Sequence, residues 1–306
     1  MAEEDGAAGS AWQRLGLSLA GGDRVLGEIL TGGQTFQWRE QTPAGGTRSW
    51  RGVCGRWLLD LRVRSGELEY RVVAGPDDER AAAGVALGQL FAVGTDFAGR
   101  IDRLPWRSDR VLAAGVEAFP GLRILRQPWE VALLSFLLSP LKAIPQIREG
   151  LEAIASRWGE PLANGWHALP SWETLAGSGE EALRGCGIGY RARSVAACAR
   201  LLAEQPAYGE ELASLPTGEA RERLRELPGV GPKVADCVLL FGLGRLESFP
   251  IDTWIGRELR EAYGLGGWKE AALQQFARAH FGPEAGLAQQ FLFAAARQRG
   301  TGRAPA

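Results

Sequence analysis

In the stretch LLDLRVRSGELEYRVV, Leu59, Leu61 and Val63 alternate with Asp60, Arg62 and Arg64. Ser65-Gly66 interrupts the alternation, and Leu68, Tyr70 and Val72 resume it. A period of two on both sides of a turn dipeptide is a hairpin with one buried face. From about residue 24 to residue 75 the chain reads as strands, with Trp38, Trp50 and Trp57 packed among them. The AGPDDER stretch at 74–80 breaks the pattern, and the period then becomes helical. The spacing predicts helices near 80–92, 107–118, 128–138, 144–158, 171–184, 190–204, 217–227, 232–243, 253–262, 268–281 and 284–298. No repeat of fixed period interrupts them. The expected fold class is α+β, a small antiparallel β-sheet domain over 12–118 followed by an all-helical domain over 119–300. Residues 1–10 and 300–306, rich in Ala, Gly and charge, are expected to fray.

The 306 residues suit two domains of ordinary size, and a hydrophobic content of 45% supplies their cores. The longest apolar run, Val131–Leu138, is too short to span a bilayer, so no membrane association is expected. The acidic start, Met1-Ala-Glu-Glu-Asp, lacks the basic-then-apolar order of a signal peptide. The expected location is therefore the cytoplasm, or the nucleus in a eukaryote. A net charge of −1 excludes a protein that coats nucleic acid through overall basic charge. Any nucleic-acid binding must use a local patch or backbone dipoles. Cys54, Cys186, Cys198 and Cys237 form no C-x-x-C pair, and no cysteine follows Cys237, which excludes a C-terminal iron–sulfur loop. His167 and His280 have no acid or cysteine beside them in sequence and read as surface or packing residues. Neither a metal nor a cofactor is expected.

The stretch LPGVGPKVADC brings in chemistry. Ala220, Leu224 and Leu227 fall on one helical face, and Val234, Cys237, Val238 and Phe241 on another. Between them stands Pro228-Gly229-Val230-Gly231, then Pro232 at a first helical position, where its missing N–H does no harm. This is a helix–hairpin–helix. Glycines permit positive φ and leave no side chain in the way. The backbone of Gly229, Val230 and Gly231, with the positive end of the second helix, can then meet a phosphate without any net basic charge. A plain helical hairpin with a glycine turn is the alternative.

Lys233 opens that second helix in a chain with few lysines. Nineteen residues later, in PIDTW, Asp252 precedes Thr253–Leu259 and reads as an N-cap. An amine and a carboxylate at neighbouring helix starts form a candidate catalytic pair. The plain alternatives are a solvated lysine and a cap.

LRELPGVGPKVADCVLLFGLGRLESFPIDTW resembles the helix–hairpin–helix, Gly/Pro-rich loop and aspartate signature of base-excision DNA glycosylases. GGQTFQWRE at 32–40, LRILRQPWEVALLSFLLS at 122–139, GIGYRARSVA at 187–196 and GLAQQFLFAAAR at 286–297 resemble motifs of the 8-oxoguanine DNA glycosylase branch. The resemblance covers most of residues 15–298, in order.

It implies a monomeric enzyme that acts on damaged double-stranded DNA, flips the nucleotide into a pocket and releases its base. Lys233 matches the amine that attacks C1′ and forms a Schiff base, after which β-elimination nicks the strand. An amine must be deprotonated to attack, which a helix N-terminus favours. Asp252 matches the carboxylate that stabilises the cationic sugar. Gly33 matches the glycine whose carbonyl accepts the N7 hydrogen of 8-oxoguanine, and Gln289 a reader of the Watson–Crick edge. Phe293 and Cys237 match the two sides of a sandwich around the base. Tyr190 and Arg191 match a wedge and a donor used on the DNA left behind.

The chain departs from the family where an asparagine-rich run normally fills the gap and reads cytosine. Pro140-Leu141-Lys142-Ala143 stands there, with Leu141 and Lys142 left as the DNA-contacting residues. Gln146 replaces an arginine that reads the same cytosine, Trp254 a histidine two residues past the aspartate, and Ala296 the acid that supports that histidine. The catalytic pair is intact while partner-base reading is altered. The alternatives are a glycosylase of the same superfamily for alkylated or other damaged bases, and a non-catalytic helix–hairpin–helix DNA-binding protein.

Overall fold

The computed structural model describes residues 10–41, 47–76 and 80–300. Most of the tails expected to fray, 1–9 and 301–306, and residues 77–79 of the break after the hairpin lie outside the described residues.

Five strands, β1 (Gln13–Ser18), β2 (Trp38–Gln41), β3 (Ser49–Cys54), β4 (Trp57–Arg64) and β5 (Glu67–Ala74), form one antiparallel sheet in the order β1-β5-β4-β3-β2. The expected hairpin is β4–β5. Ser65 (φ 52) and Gly66 (φ 80) both turn left-handed, as a two-residue turn matching the strand twist requires. Leu59, Leu61 and Val63 face Val72, Tyr70 and Leu68 across it. Asp60, on the other face, is buried beneath its cross-strand partners Arg51 (2.7 Å) and Arg71 (3.0 Å).

Residues expected as strand form helix α1, Gly22–Thr31. Val25, Leu26, Ile29 and Leu30 share one helical face and are fully buried. Gly27 lets the helix approach the sheet, since a Cβ there would lie 3.2 Å from Trp50 Cζ2. Trp38, Trp50 and Trp57 are buried as expected.

The remaining helices are α2 (Arg80–Leu90), α3 (Phe97–Arg103), α4 (Arg110–Ala118), α5 (Trp129–Leu137), α6 (Ile144–Trp158), α7 (Trp172–Ala176), α8 (Glu180–Leu183), α9 (Arg191–Glu204), α10 (Tyr208–Ser214), α11 (Thr217–Arg225), α12 (Pro232–Phe241), α13 (Thr253–Glu261), α14 (Glu270–Phe281) and α15 (Ala285–Gly300). The single helix expected over 171–184 is two short ones, broken where Gly179 takes φ 76. The short helices α3 and α10 were not expected; neither is long enough for two clear turns of apolar periodicity.

Every residue from Ala285 to Ala296 is buried, so α15 is the axis of the molecule. Helix α4 lies against it, close enough that a Cβ on Gly115 would fall 2.7 Å from the Phe291 carbonyl oxygen. Sheet and helices share one main hydrophobic core that runs from Leu19 to Ala294, beside a small separate cluster of Val53, Leu58 and Ala168. Helix α1 is tied to α15 through Glu28 and Arg297, and the site is built there.

Candidate active site

Helices α11 and α12 and the turn between them make the helix–hairpin–helix. Gly229 is left-handed (φ 84), and a Cβ there would strike Ser194 Oγ at 2.4 Å. Gly231 is extended (φ −89, ψ −179) and is the N-cap of α12. The expectation of positive φ thus holds for Gly229 and fails for Gly231, whose role is openness: a Cβ there meets nothing within 4 Å. No side chain caps the first amides of α12, which leaves them and the helix dipole available to an anion. Val230 is buried and anchors the turn, its amide bonded to the Leu227 carbonyl at 3.0 Å. Asp236, fully buried, accepts from Arg221 of α11 at 2.7 Å and from Gln274 at 3.2 Å, which fastens the two helices together.

Lys233 is the second residue of α12. Its Nζ donates to Ser139 Oγ at 2.8 Å and lies 4.9 Å from the centre of the Phe136 ring. Phe136 stacks on Phe241 at 5.4 Å and meets Phe36 edge-on at 5.6 Å, so the amine emerges from an aromatic floor. One turn along lies the Cys237 thiol, which burial pushes up to about 12 against the opposing pull of the Lys233 charge. Cys237 is therefore a neutral, packed group at neutral pH.

Asp252 caps α13, with Oδ1 accepting from the Ile255 amide at 2.8 Å. Burial pushes its carboxyl above the ordinary range, against the opposing pull of the Ile255 amide and the Lys233 charge. The two members of the expected pair are thus within electrostatic reach at the heads of α12 and α13.

The loop after α1 meets α15. Gly33 stands just past Gly32, the C-cap of α1, with φ 102, and a Cβ there would lie 3.2 Å from Ile144 Cδ1 and 3.6 Å from Phe293 Cε1. Gln34, fully buried, holds this loop: its side chain donates to Arg123 O and accepts from the Leu125 amide, both at 2.9 Å, and its carbonyl accepts from Gln127 at 2.7 Å. Gln289 donates to the carbonyl of Pro250, two residues before Asp252, at 3.2 Å. Phe293 follows one turn later on α15. Arg297 lies over its ring, 5.7 Å from the centre, and bonds Glu28 of α1 at 2.9 Å. Gly33, Phe293, Gln289, Asp252, Lys233 and Cys237 are thereby joined into one constellation.

The exposed edge differs from expectation. Leu141 is 91% exposed and left-handed (φ 55), and Tyr190 is 58% exposed. Both project from the surface, with Lys142 beside Leu141. Arg191, expected as a free donor, is turned inward and only 5% exposed. It donates to the carbonyls of Pro140 and Ile188 and lies 4.4 Å from the centre of the Tyr190 ring. Gln146 Oε1 accepts from the Ala143 amide at 3.0 Å and serves as a helix cap. Trp254 packs on the end of α15, where a Cβ on Gly300 would fall 2.6 Å from it. His280 bonds Asp109 at 2.9 Å, an acid distant in sequence that caps α4. Among the described residues no cluster of three His, Cys, Asp or Glu side chains could hold a metal.

Sequence reasoning missed Ser139, Phe136 and the Glu28–Arg297 pair. Ser139 and Phe136 stood within the SFLLS motif, but no local pattern marks a serine that will face a lysine 94 positions away.

The 8-oxoguanine DNA glycosylase N-terminal domain family matches residues 20–131. A probable N-glycosylase/DNA lyase of Methanothermobacter thermautotrophicus is 32% identical over 216 residues, 63% of this chain and 69% of the relative. The N-glycosylase/DNA lyase OGG1 of Arabidopsis thaliana is 30% identical over 240 residues, 73% of this chain and 62% of the relative. Among solved structures, the Clostridium acetobutylicum 8-oxoguanine glycosylase/lyase bound to duplex DNA with cytosine opposite the lesion superposes with a TM-score of 0.80. It is 26% identical, with coverage of 90% of this chain and 92% of the other.

Proposed function

The chain belongs to the 8-oxoguanine DNA glycosylase/lyase family, and from that premise we propose that it excises 8-oxoguanine from duplex DNA and then nicks the strand at the vacated sugar. The observation that carries this reading is one amine, Lys233 Nζ, whose charge acts on one half-buried carboxylate, Asp252, two residues from the carbonyl that Gln289 holds on the helix that also carries Phe293 against Gly33.

The head of α12 grips a backbone phosphate through amides, which is how a chain of net charge −1 holds DNA. The lesion nucleotide rotates out of the stack, and its base enters against Phe293. The Gly33 carbonyl accepts the N7 hydrogen of 8-oxoguanine. Guanine carries a lone pair at that atom and is rejected. Gln289 reads the Watson–Crick edge. Lys233 Nζ, as the free amine, bonds C1′ as the C1′–N9 bond breaks, and the base leaves with the electron pair and is protonated. The sugar ring opens to an imine between Nζ and C1′. Loss of a 2′ proton then expels the 3′ phosphate, and water releases the enzyme. The negative charge of Asp252 lowers the energy of the positively charged sugar along this route.

Leu141 enters the gap left by the flipped base as an apolar plug. It offers no donor or acceptor to the orphaned cytosine, Lys142 has no planar fork, and Arg191 is turned inward. Selectivity for cytosine opposite the lesion is accordingly weak. The enzyme acts as a monomer, since one chain supplies every group named.

The test is a single-turnover reaction on duplexes with 8-oxoguanine opposite C, T, G or A. Free base, a nick without alkali, and rates within about a hundredfold across the four partners are expected (each lost contact being about 1–3 kcal/mol). Release of alkylated bases but not 8-oxoguanine would favour the sister branch. Binding without release would leave a DNA-binding protein.

A further inference from the structure

Residues 139–142 form a tight turn, with the Lys142 amide donating to Ser139 O at 3.2 Å. Pro140 takes the second position and Leu141 the third, at φ 55. Positive φ at the third position marks a type II turn, a place for glycine or asparagine. A leucine resists that conformation, because its Cβ crowds the following carbonyl. Nor does burial compensate it, since Leu141 is 91% exposed.

The hold comes from Arg191 at the head of α9. Its guanidinium, 5% exposed, donates from Nη2 to Pro140 O and from Nη1 to Ile188 O at 3.4 Å. Type I and type II turns differ by a flip of the central peptide, whose carbonyl here is that of Pro140. Gripping that oxygen selects the flip that makes Leu141 left-handed. At the other end of the turn, Ser139 Oγ accepts from Lys233 Nζ and donates to Phe136 O, both at 2.8 Å. Plug and nucleophile are therefore tied to the same four residues.

We propose that Arg191 is a positioning residue, a clamp on the Pro140 carbonyl that presets Leu141 as the plug and keeps it in register with the Lys233 amine, and not a reader of the opposite base. The inference rests on the glycosylase reading of the site. A reader and a clamp differ in what their loss does. Removing a reader lowers the rate opposite its own base. Removing a clamp lowers the rate opposite all four.

The experiment compares the wild type with Arg191→Met, Leu141→Asn and the double variant. Single-turnover excision is measured opposite C, T, G and A. Plug insertion is read separately, by the fluorescence of 2-aminopurine beside an abasic-site analogue, which requires no chemistry. Arg191→Met should lose about tenfold opposite every base, the scale of a turn released from its clamp. The ratios among bases should hold within about twofold, and insertion should fall in parallel. The loss should shrink in the Leu141→Asn background, because asparagine tolerates the left-handed region without help. A loss confined to cytosine, or an equal loss in both backgrounds, would overturn the clamp. Should Arg191→Met not fold, Arg191→Lys, which keeps one donor for Pro140 O, carries the same comparison across bases. A wild type that inserts Leu141 but excises nothing would retire the glycosylase reading and leave the clamp standing.

Discussion

Replacing Asp252 with asparagine separates its charge from its cap. The Asp252 Oδ1 accepts the Ile255 amide at 2.8 Å, and an asparagine oxygen can do the same. The two residues rank equally as N-caps. Burial raises the Asp252 carboxyl above its ordinary value despite the Ile255 amide and Lys233. An acid with a higher pKa in the folded chain favours folding below its unfolded pKa. That contribution is lost as pH rises through the folded value. At neutral pH the folded protein thus carries a carboxylate where ionisation is resisted, and asparagine removes the conflict. Asp252→Asn should melt at the wild-type temperature or higher at pH 7, with the difference vanishing below about pH 4, near the unfolded pKa. Base release should fall by about 10²–10³, or roughly 2.7–4 kcal/mol, the loss of one preorganised electrostatic group. Asp252→Ala, the control, loses the cap as well and should melt about 2 °C lower, for about 1 kcal/mol in a chain of this size. Scanning calorimetry and single-turnover release of 8-oxoguanine measure the two effects. Base release within about threefold of wild type, or a melting temperature for the asparagine variant as low as that for alanine, would refute the reasoning.

Three further outcomes follow from the same geometry. The chain has three lysines, Lys142, Lys233 and Lys269; Lys233→Gln should abolish the borohydride-trapped adduct while duplex binding stays within about threefold, since phosphate contacts at the hairpin are made by backbone. An adduct of wild-type yield in that variant would move the nucleophile elsewhere. Gly33→Ala forces alanine to φ 102 and aims a methyl group at Phe293, 3.6 Å away. Strain of about 1–3 kcal/mol is expected in the melt, together with a loss of 8-oxoguanine excision larger than the loss of trapping on a preformed abasic site; equal losses would show that the methyl does not meet the base. Arg221→Met removes the cation bonded to buried Asp236 and should cost about 3–5 kcal/mol in urea unfolding, whereas a change below about 1 kcal/mol would mean that Gln274 and the Arg278 charge suffice.

Much of this protein is determined by neighbours along the chain. The β4–β5 hairpin is legible because Ser65-Gly66 can turn left-handed and the flanking residues alternate. The head of α12 is legible because Pro232 fixes its own φ at the first helical position, and Asp252 because its bond reaches only three residues ahead. The apolar face of helix α1 is equally local, but Val25 and Ile29 favour strands and Gly27 weakens a helix. Contact with Trp50 explains the glycine. Arg191 reads as a basic surface residue until the fold brings Pro140 O, 51 positions away, within its reach. Gly33 meets Phe293, and Glu28 meets Arg297 269 positions on, because α15 is buried along its length and α1 and the loop after it pack on it. Periodicity tells which face of a helix is buried. Which side chain it meets there depends on how the faces dock, and that is set by packing across the whole core.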